Sequence, residues 1–123
     1  MGINTFLNNK ASNKKCEQRN FLSDKNPSMA RAFQNAGYAT GHIGKWHMGG
    51  GRDVHNAPSI KNYGFDEYIS TYESPDPEPA ITATNWIWSA KDSVKRWRRT
   101  EYFVNKSIDF VKRHKDQPFF LNL

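Results

Sequence analysis

The sequence predicts an α/β fold with a mainly parallel central sheet, of which these 123 residues hold only a part. Two amphipathic helical patterns are each followed at once by a short strand pattern, and the second strand is a continuous apolar run. Strands that alternate with helices are typical of parallel sheets, and a continuous apolar run is typical of a strand covered on both faces. In such folds ligands bind beyond the carboxyl ends of strands, so both strand ends are candidate site positions.

The first helix and strand come shortly after residue 27. Ser28 is suited to an N-cap, residues 29–36 place apolar side chains at helical spacing, and Gly37 stands where a left-handed C-terminal cap is needed. Residues 38–43 are partly β-branched and bounded by glycine. We therefore expect a strand that enters directly from the helix.

The second helix is predicted over residues 99–115. Apolar side chains recur there at helical intervals, Thr100 and Glu101 favour its start, and basic residues crowd its end. Residues 118–123 then form the apolar run, which predicts a strand buried on both faces of a parallel sheet.

The whole chain, 1–123, is interpreted as one partial domain. Residues 1–27 are polar and predict a connecting loop, and residues 28–123 predict the order helix, strand, long excursion, helix, strand. Residues 71–80 contain three prolines, so we expect an extended surface segment that cannot join a central strand. The sheet is expected to have two neighbouring strands at most.

Composition and charge limit the function. Hydrophobic residues make up 37% and the mean hydropathy is −0.86, which is polar for a chain that must close its own core and indicates part of a larger unit. The net charge of +6 favours an anionic ligand: nucleic acid, sulfate or phosphate. Cys16 is the single cysteine, so a disulfide within the chain is excluded, and no apolar run approaches the ~20 residues of a membrane span.

Lys45 and His47 are the candidate catalytic residues. They lie two apart at the end of the first strand, so an extended backbone would place both on one face and Trp46 on the other. A lysine is a compact charge for a tetrahedral oxyanion and a histidine moves a proton near neutral pH, which suits sulfuryl or phosphoryl transfer. From spacing alone, an exposed lysine beside a hydrogen-bonded histidine is the more common arrangement.

The residues around this pair resemble a family signature. Residues 36–49 read AGYATGHIGKWHMG and closely resemble the second signature of the sulfatase family, G-Y-x-T-x-x-x-G-K-W-H-x-G. The resemblance continues through residues 50–54, 63–68 and 117–123, and it covers nearly all of residues 28–123.

The resemblance implies an alkaline-phosphatase-like α/β fold, a Ca²⁺ ion and a formylglycine nucleophile made in a C/S-x-P-x-R motif. Cys16 is followed by Glu17-Gln18-Arg19 and does not fit that motif, so we expect the nucleophile upstream of Met1 and the Ca²⁺ ligands outside this chain. The piece alone is expected to be inactive. The family's usual locations are the periplasm, the lysosome and the outside of the cell.

The same resemblance suggests roles for individual residues. Lys45 resembles the lysine that binds the sulfate and the nucleophile's oxygen, and His47 resembles the histidine that hydrogen-bonds the formylglycine hydroxyl. Arg52, Asp53 and His55 follow a glycine loop and either contact the substrate or lie in solvent. Ser74 is a further candidate, because some sulfatases have a substrate-facing hydroxyl in the corresponding loop. Trp86 and Trp88 could stack on a sugar, but packing in the interior is the favoured interpretation.

The expected partner is a sulfated carbohydrate or another sulfate ester. Residues 91–99 mix cations with a tryptophan, which also suits a nucleic-acid-binding module. That alternative leaves the Gly-Lys-Trp-His signature unexplained, so no nucleic acid is expected. A non-catalytic sulfatase homologue is the third interpretation.

Overall fold

The structure is a computed structural model that describes residues 10–49, 56–71, 74–81 and 90–123. Its helices are α1 (Lys10–Lys15), α2 (Met29–Asn35) and α3 (Arg99–His114), and its strands are β1 (Ala39–Gly44), β2 (Glu67–Ser70) and β3 (Phe119–Asn122). Two short 3₁₀ turns, Ile60–Tyr63 and Arg96–Arg98, precede β2 and α3. Among the described residues, no helix has the length and apolar character that a membrane span requires.

The strands form one parallel sheet in the order β2-β1-β3, with β1 in the centre. In the register, Gly44 lies opposite Ser70 and His42 lies opposite Asn122. The α/β class with a parallel sheet is therefore confirmed. The expectation of two strands at most was wrong, because β2 pairs with the other side of β1. Four residues that begin with a glutamate gave little strand pattern in the sequence.

Helices cover both faces of the sheet. On one face α3 packs its buried Phe110 over Gly41 of β1, where a Cβ atom would lie 2.7 Å from the Phe110 ring. The missing side chain at Gly41 therefore allows the helix to approach the strand closely. The other face carries α2 and a mainly aromatic core, which consists of Ala30, Trp46, Ile60, Tyr63 and Phe65.

The two predicted helices are confirmed. The Ser28 hydroxyl accepts a hydrogen bond from the Arg31 backbone N–H at 3.1 Å, and Gly37 has φ 83°. These are the N-cap and the left-handed C-terminal residue that the sequence predicted. The longer helix begins at Arg99 and ends at His114, one residue before the predicted end.

Residues 10–27 differ from the loop that the sequence predicted. They include helix α1, and the buried Asn13 accepts a hydrogen bond from the amide of buried Gln18 at 2.9 Å. A polar, lysine-rich segment has no apolar periodicity to reveal such a helix, because its buried groups are amides that satisfy each other.

Two further expectations need correction. The segment 71–80 is not purely a surface segment, since Ser74 is 1% exposed. Its Pro77 forms a single parallel bridge with Ser70 of β2. Strand β3 is not buried on both faces: Phe119 is 38% exposed, because among the described residues β3 has β1 as its one neighbour.

Candidate active site at the end of the central strand

The candidate site lies at the carboxyl end of β1, the central strand. The strand ends at Gly44, and Lys45, Trp46 and His47 follow directly. Lys45 is exposed, His47 is half-buried, and Trp46 between them is only 4% exposed. A buried indole thus anchors a segment that carries one cation and one imidazole toward the surface.

The backbone of His47 is left-handed, with φ 52°. The three-residue segment therefore lies outside the strand, and the argument from strand alternation does not apply at His47. Histidine is one of the residues enriched among non-glycine residues with positive φ. Sparsely populated backbone conformations cost about 1–3 kcal/mol, and they persist where the surroundings fix them.

The N-terminal part of the chain supplies such surroundings. The Leu22 backbone N–H donates to the Met48 carbonyl at 2.9 Å, and the Tyr63 hydroxyl donates to the Leu22 carbonyl at 2.5 Å. A Cβ atom at Gly49 would lie 2.2 Å from the Cβ of Phe21. Residues 21 and 22 therefore close tightly on the loop after His47, a role that the sequence did not reveal.

Aromatic contacts hold Trp46 from below. Its ring lies 4.9 Å from the ring of Tyr63 and 6.1 Å from that of Phe65, both at steep interplanar angles. Edge-to-face pairs of this kind stabilise a buried aromatic beyond its area alone. The side chain of Trp46 therefore has one well-defined position.

His42 is a buried histidine under this segment that the sequence analysis missed. It is 2% exposed, and its ring lies 5.2 Å from that of Trp46. Burial lowers the pKa of His42 to about 4, and the backbone of Gly44 acts in the opposite direction with a smaller effect. Its position in the middle of a central parallel strand was the available signal, since both faces of such a strand are covered.

The end of β2 borders the same site. Thr71 donates its backbone N–H to the Gly44 carbonyl at 3.2 Å, directly before Lys45. Ser74 lies at this edge too, but its hydroxyl accepts a hydrogen bond from the Ser70 hydroxyl at 2.5 Å and is buried. A substrate contact by Ser74 stays a prediction, and it requires that hydroxyl to exchange partners.

Arg52, Asp53 and His55, the other predicted substrate contacts, lie outside the described residues. The same holds for Trp86 and Trp88. Their roles stay predictions.

The described residues do not by themselves fit the metal or the nucleophile that the resemblance implies. No three His, Cys, Asp or Glu side chains within the described ranges lie close enough together to hold a metal ion. Cys16 is exposed, with a free thiol, and lacks the proline two positions on that the nucleophile motif requires.

A family model described as Sulfatase matches residues 3–123. The chain belongs to the sulfatase family. The small parallel sheet with helices on both faces agrees with the alkaline-phosphatase-like α/β fold expected of a sulfatase.

Three curated relatives are sulfatases as well. The chain is 38% identical to an N-acetylgalactosamine-6-O-sulfatase of Bacteroides thetaiotaomicron over 64 residues, which cover 47% of this chain and 12% of the relative. It is 26% identical to an arylsulfatase of Hemicentrotus pulcherrimus over 111 residues, 76% of this chain and 20% of the relative. It is 44% identical to arylsulfatase G of Canis lupus familiaris over 50 residues, which cover 40% of this chain and 8% of the relative. The chain thus spans a fifth or less of the length of each.

Proposed function

We propose that this chain forms part of the active site of a sulfuric ester hydrolase and that it works within a longer protein. The observation that supports the proposal most is the placement of Lys45 and His47 in a sulfatase-family chain. They flank a buried tryptophan at the carboxyl end of the central parallel strand, where α/β folds bind ligands.

Lys45 binds the sulfate group in this proposal. Its ammonium group is exposed at the strand end and carries a compact positive charge. Negative charge develops on the leaving oxygen as the ester bond breaks, and a fixed cation close to the sulfate stabilises that charge more in the transition state than in the ground state.

His47 moves a proton. Imidazole side chains serve as general acids and bases close to neutral pH. His47 has a left-handed backbone and is half-buried, and it lies two residues from Lys45 in the chain. The nucleophile and a Ca²⁺ ion are proposed to come from other parts of the longer protein, where the nucleophile would supply the attacking oxygen and the ion further positive charge.

A sulfated carbohydrate is the proposed substrate. One relative is named for a sulfated N-acetylgalactosamine, and the net charge of +6 favours a polyanion. Two relatives are named arylsulfatases, so small aryl sulfates are suitable test substrates. Arg52, Asp53, His55 and Ser74 are the proposed contacts to the non-reacting part of the substrate.

The nucleic-acid alternative receives less support. Within the basic segment, Lys95 donates to the backbone carbonyls of Ala90 and Asp92 at 2.7 and 2.8 Å. Arg98 pairs with Glu101, and Arg99 pairs with Asp92. Three of the cations that would track phosphates therefore have partners within the chain.

The experiment is a substrate panel for the longer protein, with its formylglycine content measured by mass spectrometry. Aryl sulfate, sulfated N-acetylgalactosamine and sulfated oligosaccharides are compared with the matching phosphate monoesters and diesters. We expect the highest kcat/KM on a sulfated sugar. Faster hydrolysis of phosphate diesters than of every sulfate ester would refute the substrate class, and an absent C/S-x-P-x-R motif would favour the non-catalytic homologue.

A further inference from the structure

We propose that His42 is a positioning residue for the candidate active site: hydrogen-bonded to Asn122 and packed against Trp46, it holds the turn that carries Lys45 and His47. The inference rests on the proposed function. It adds a residue outside the Lys-Trp-His segment to the machinery of the site.

A side-chain hydrogen bond joins His42 of β1 to Asn122 of β3. His42 lies on β1 opposite Asn122 of β3, and its Nδ1 atom lies 2.8 Å from the Asn122 side-chain nitrogen. An amide nitrogen donates, so Nδ1 accepts and the neutral ring carries its proton on Nε2. The bond therefore holds the rotation of the His42 ring.

The second ring nitrogen of His42 is a polar group that folding alone does not require at this position. The Nε2 atom of His42 is buried and has no hydrogen bond of normal geometry among the described residues, while the Gly44 backbone lies close enough to the ring to act on its pKa. The ring is surrounded by Trp46 at 5.2 Å and Phe65 at 5.5 Å. A buried donor without a well-formed hydrogen bond lowers stability, so a ring without that N–H would suit this apolar position better.

Trp46 connects the His42 ring to the candidate active site. Trp46 meets the His42 ring nearly edge to face, at 75°, and stands between Lys45 and His47 in the chain. A displaced Trp46 would move Lys45 and His47 as well, because both are bonded to it through the backbone. Misplacement of reacting groups by ~1 Å can cost ~100-fold in rate.

The test compares variants of the longer protein by steady-state kinetics on an aryl sulfate. His42→Ala removes the ring and the bond, and we expect kcat to fall about 100-fold with KM changed less than about threefold. His42→Phe keeps a ring but loses the bond, and a fall of about tenfold is expected. Asn122→Leu removes the same bond from the Asn122 side. Because each substitution removes the one bond, a variant that carries both His42→Phe and Asn122→Leu should have a kcat no lower than that of His42→Phe alone.

Ile43→Ala is the matched control, since Ile43 is 3% exposed and is the next residue of the same strand. It should lower the melting temperature at least as much as His42→Ala while kcat stays within twofold of the wild type. Equal losses of kcat in Ile43→Ala and His42→Ala would overturn the positioning role and leave only a structural one.

A crystal structure of the His42→Ala protein tests the inference without activity. We expect Trp46 and His47 to be displaced, whereas unchanged positions of both would refute the inference. An inactive wild type that carries formylglycine would instead contradict the proposed function, so the two failures are distinguishable.

Discussion

Arg99 donates a hydrogen bond from its guanidinium to the carboxylate of Asp92 at 3.1 Å, and the Asp92 side chain is 1% exposed. The same guanidinium donates to the Ile81 carbonyl at 2.6 Å. One arginine at the start of α3 therefore holds together the segment before the helix and the end of the segment after β2.

Asp92→Ala should destabilise the protein strongly. The substitution leaves the 15% exposed Arg99 side chain without its carboxylate, and removing one partner of a buried pair costs about 3 kcal/mol or more. Thermal unfolding of the longer protein measures the loss. Glu101→Ala is the control, because Glu101 pairs with Arg98 at the surface, and it should leave the melting temperature almost unchanged. Equal effects of the two substitutions would contradict the buried pair.

Gly41→Ala should also lower stability, for a steric reason. The new Cβ would lie 2.7 Å from one Phe110 ring atom and 3.1 Å from Leu121, so the buried Phe110 ring or the helix that carries it must shift, and overpacking of this kind costs about 1–3 kcal/mol. Gly37→Ala is the comparison, since it has free space but φ 83°, and its smaller penalty comes from the backbone alone. Denaturant unfolding gives both values. A Gly41→Ala protein as stable as the wild type would show that α3 does not approach β1 this closely.

Parts of this fold could be predicted from the sequence because their signals are local. The Ser28 cap, Gly37 and the apolar period of α3 each lie within one element, and all were found in the structure. Strand β2 was missed because its pairing with β1 is a long-range contact of four residues.

The candidate site, too, could be predicted from the sequence only in part. Lys45 and His47 are predicted from a local pattern, the Gly-Lys-Trp-His run, and their catalytic roles stay predictions. The closure by residues 21 and 22 was not, because it depends on a backbone bond from Leu22 to Met48 that no residue type announces. The left-handed backbone of His47 was missed for the same reason, since tertiary contacts impose it.

Stability should fall as the pH drops from about 6.5 to about 4, because of His42. Burial lowers the folded-state pKa of His42 from 6.5 to about 4, so the unfolded chain binds the proton more readily. The stabilisation is fully present above pH 6.5 and is lost as the pH falls toward 4. The loss is on the order of 3 kcal/mol.

Unfolding free energies of the longer protein between pH 4 and 8 measure this effect. The His42→Phe variant should lack that part of the pH dependence, since it has no group to protonate. Parallel curves for the variant and the wild type would show that His42 is not buried in its neutral form.

The isolated 123-residue chain should be poorly stable and prone to associate. An apolar cavity of about 300 Å³ opens beside α3, where Val104, Ile108 and Val111 stay partly exposed. Leu123 beside it is 69% exposed. Exposed apolar surface and open sheet edges favour aggregation. Size-exclusion chromatography with thermal unfolding tests this, and a monomer with a cooperative transition would contradict it.

Turnover of a sulfate ester by the Lys45→Ala and His47→Ala variants of the longer protein is the most direct test of the proposed roles of these two residues. In its proposed role Lys45 contacts sulfate throughout the reaction, so we expect Lys45→Ala to raise KM and lower kcat, with a total loss of transition-state stabilisation of about 2–4 kcal/mol. In its proposed role His47 carries a proton, so His47→Ala should mainly lower kcat, by about 100-fold or more. Wild-type turnover in His47→Ala, with formylglycine shown to be present, would contradict the central claim about this site.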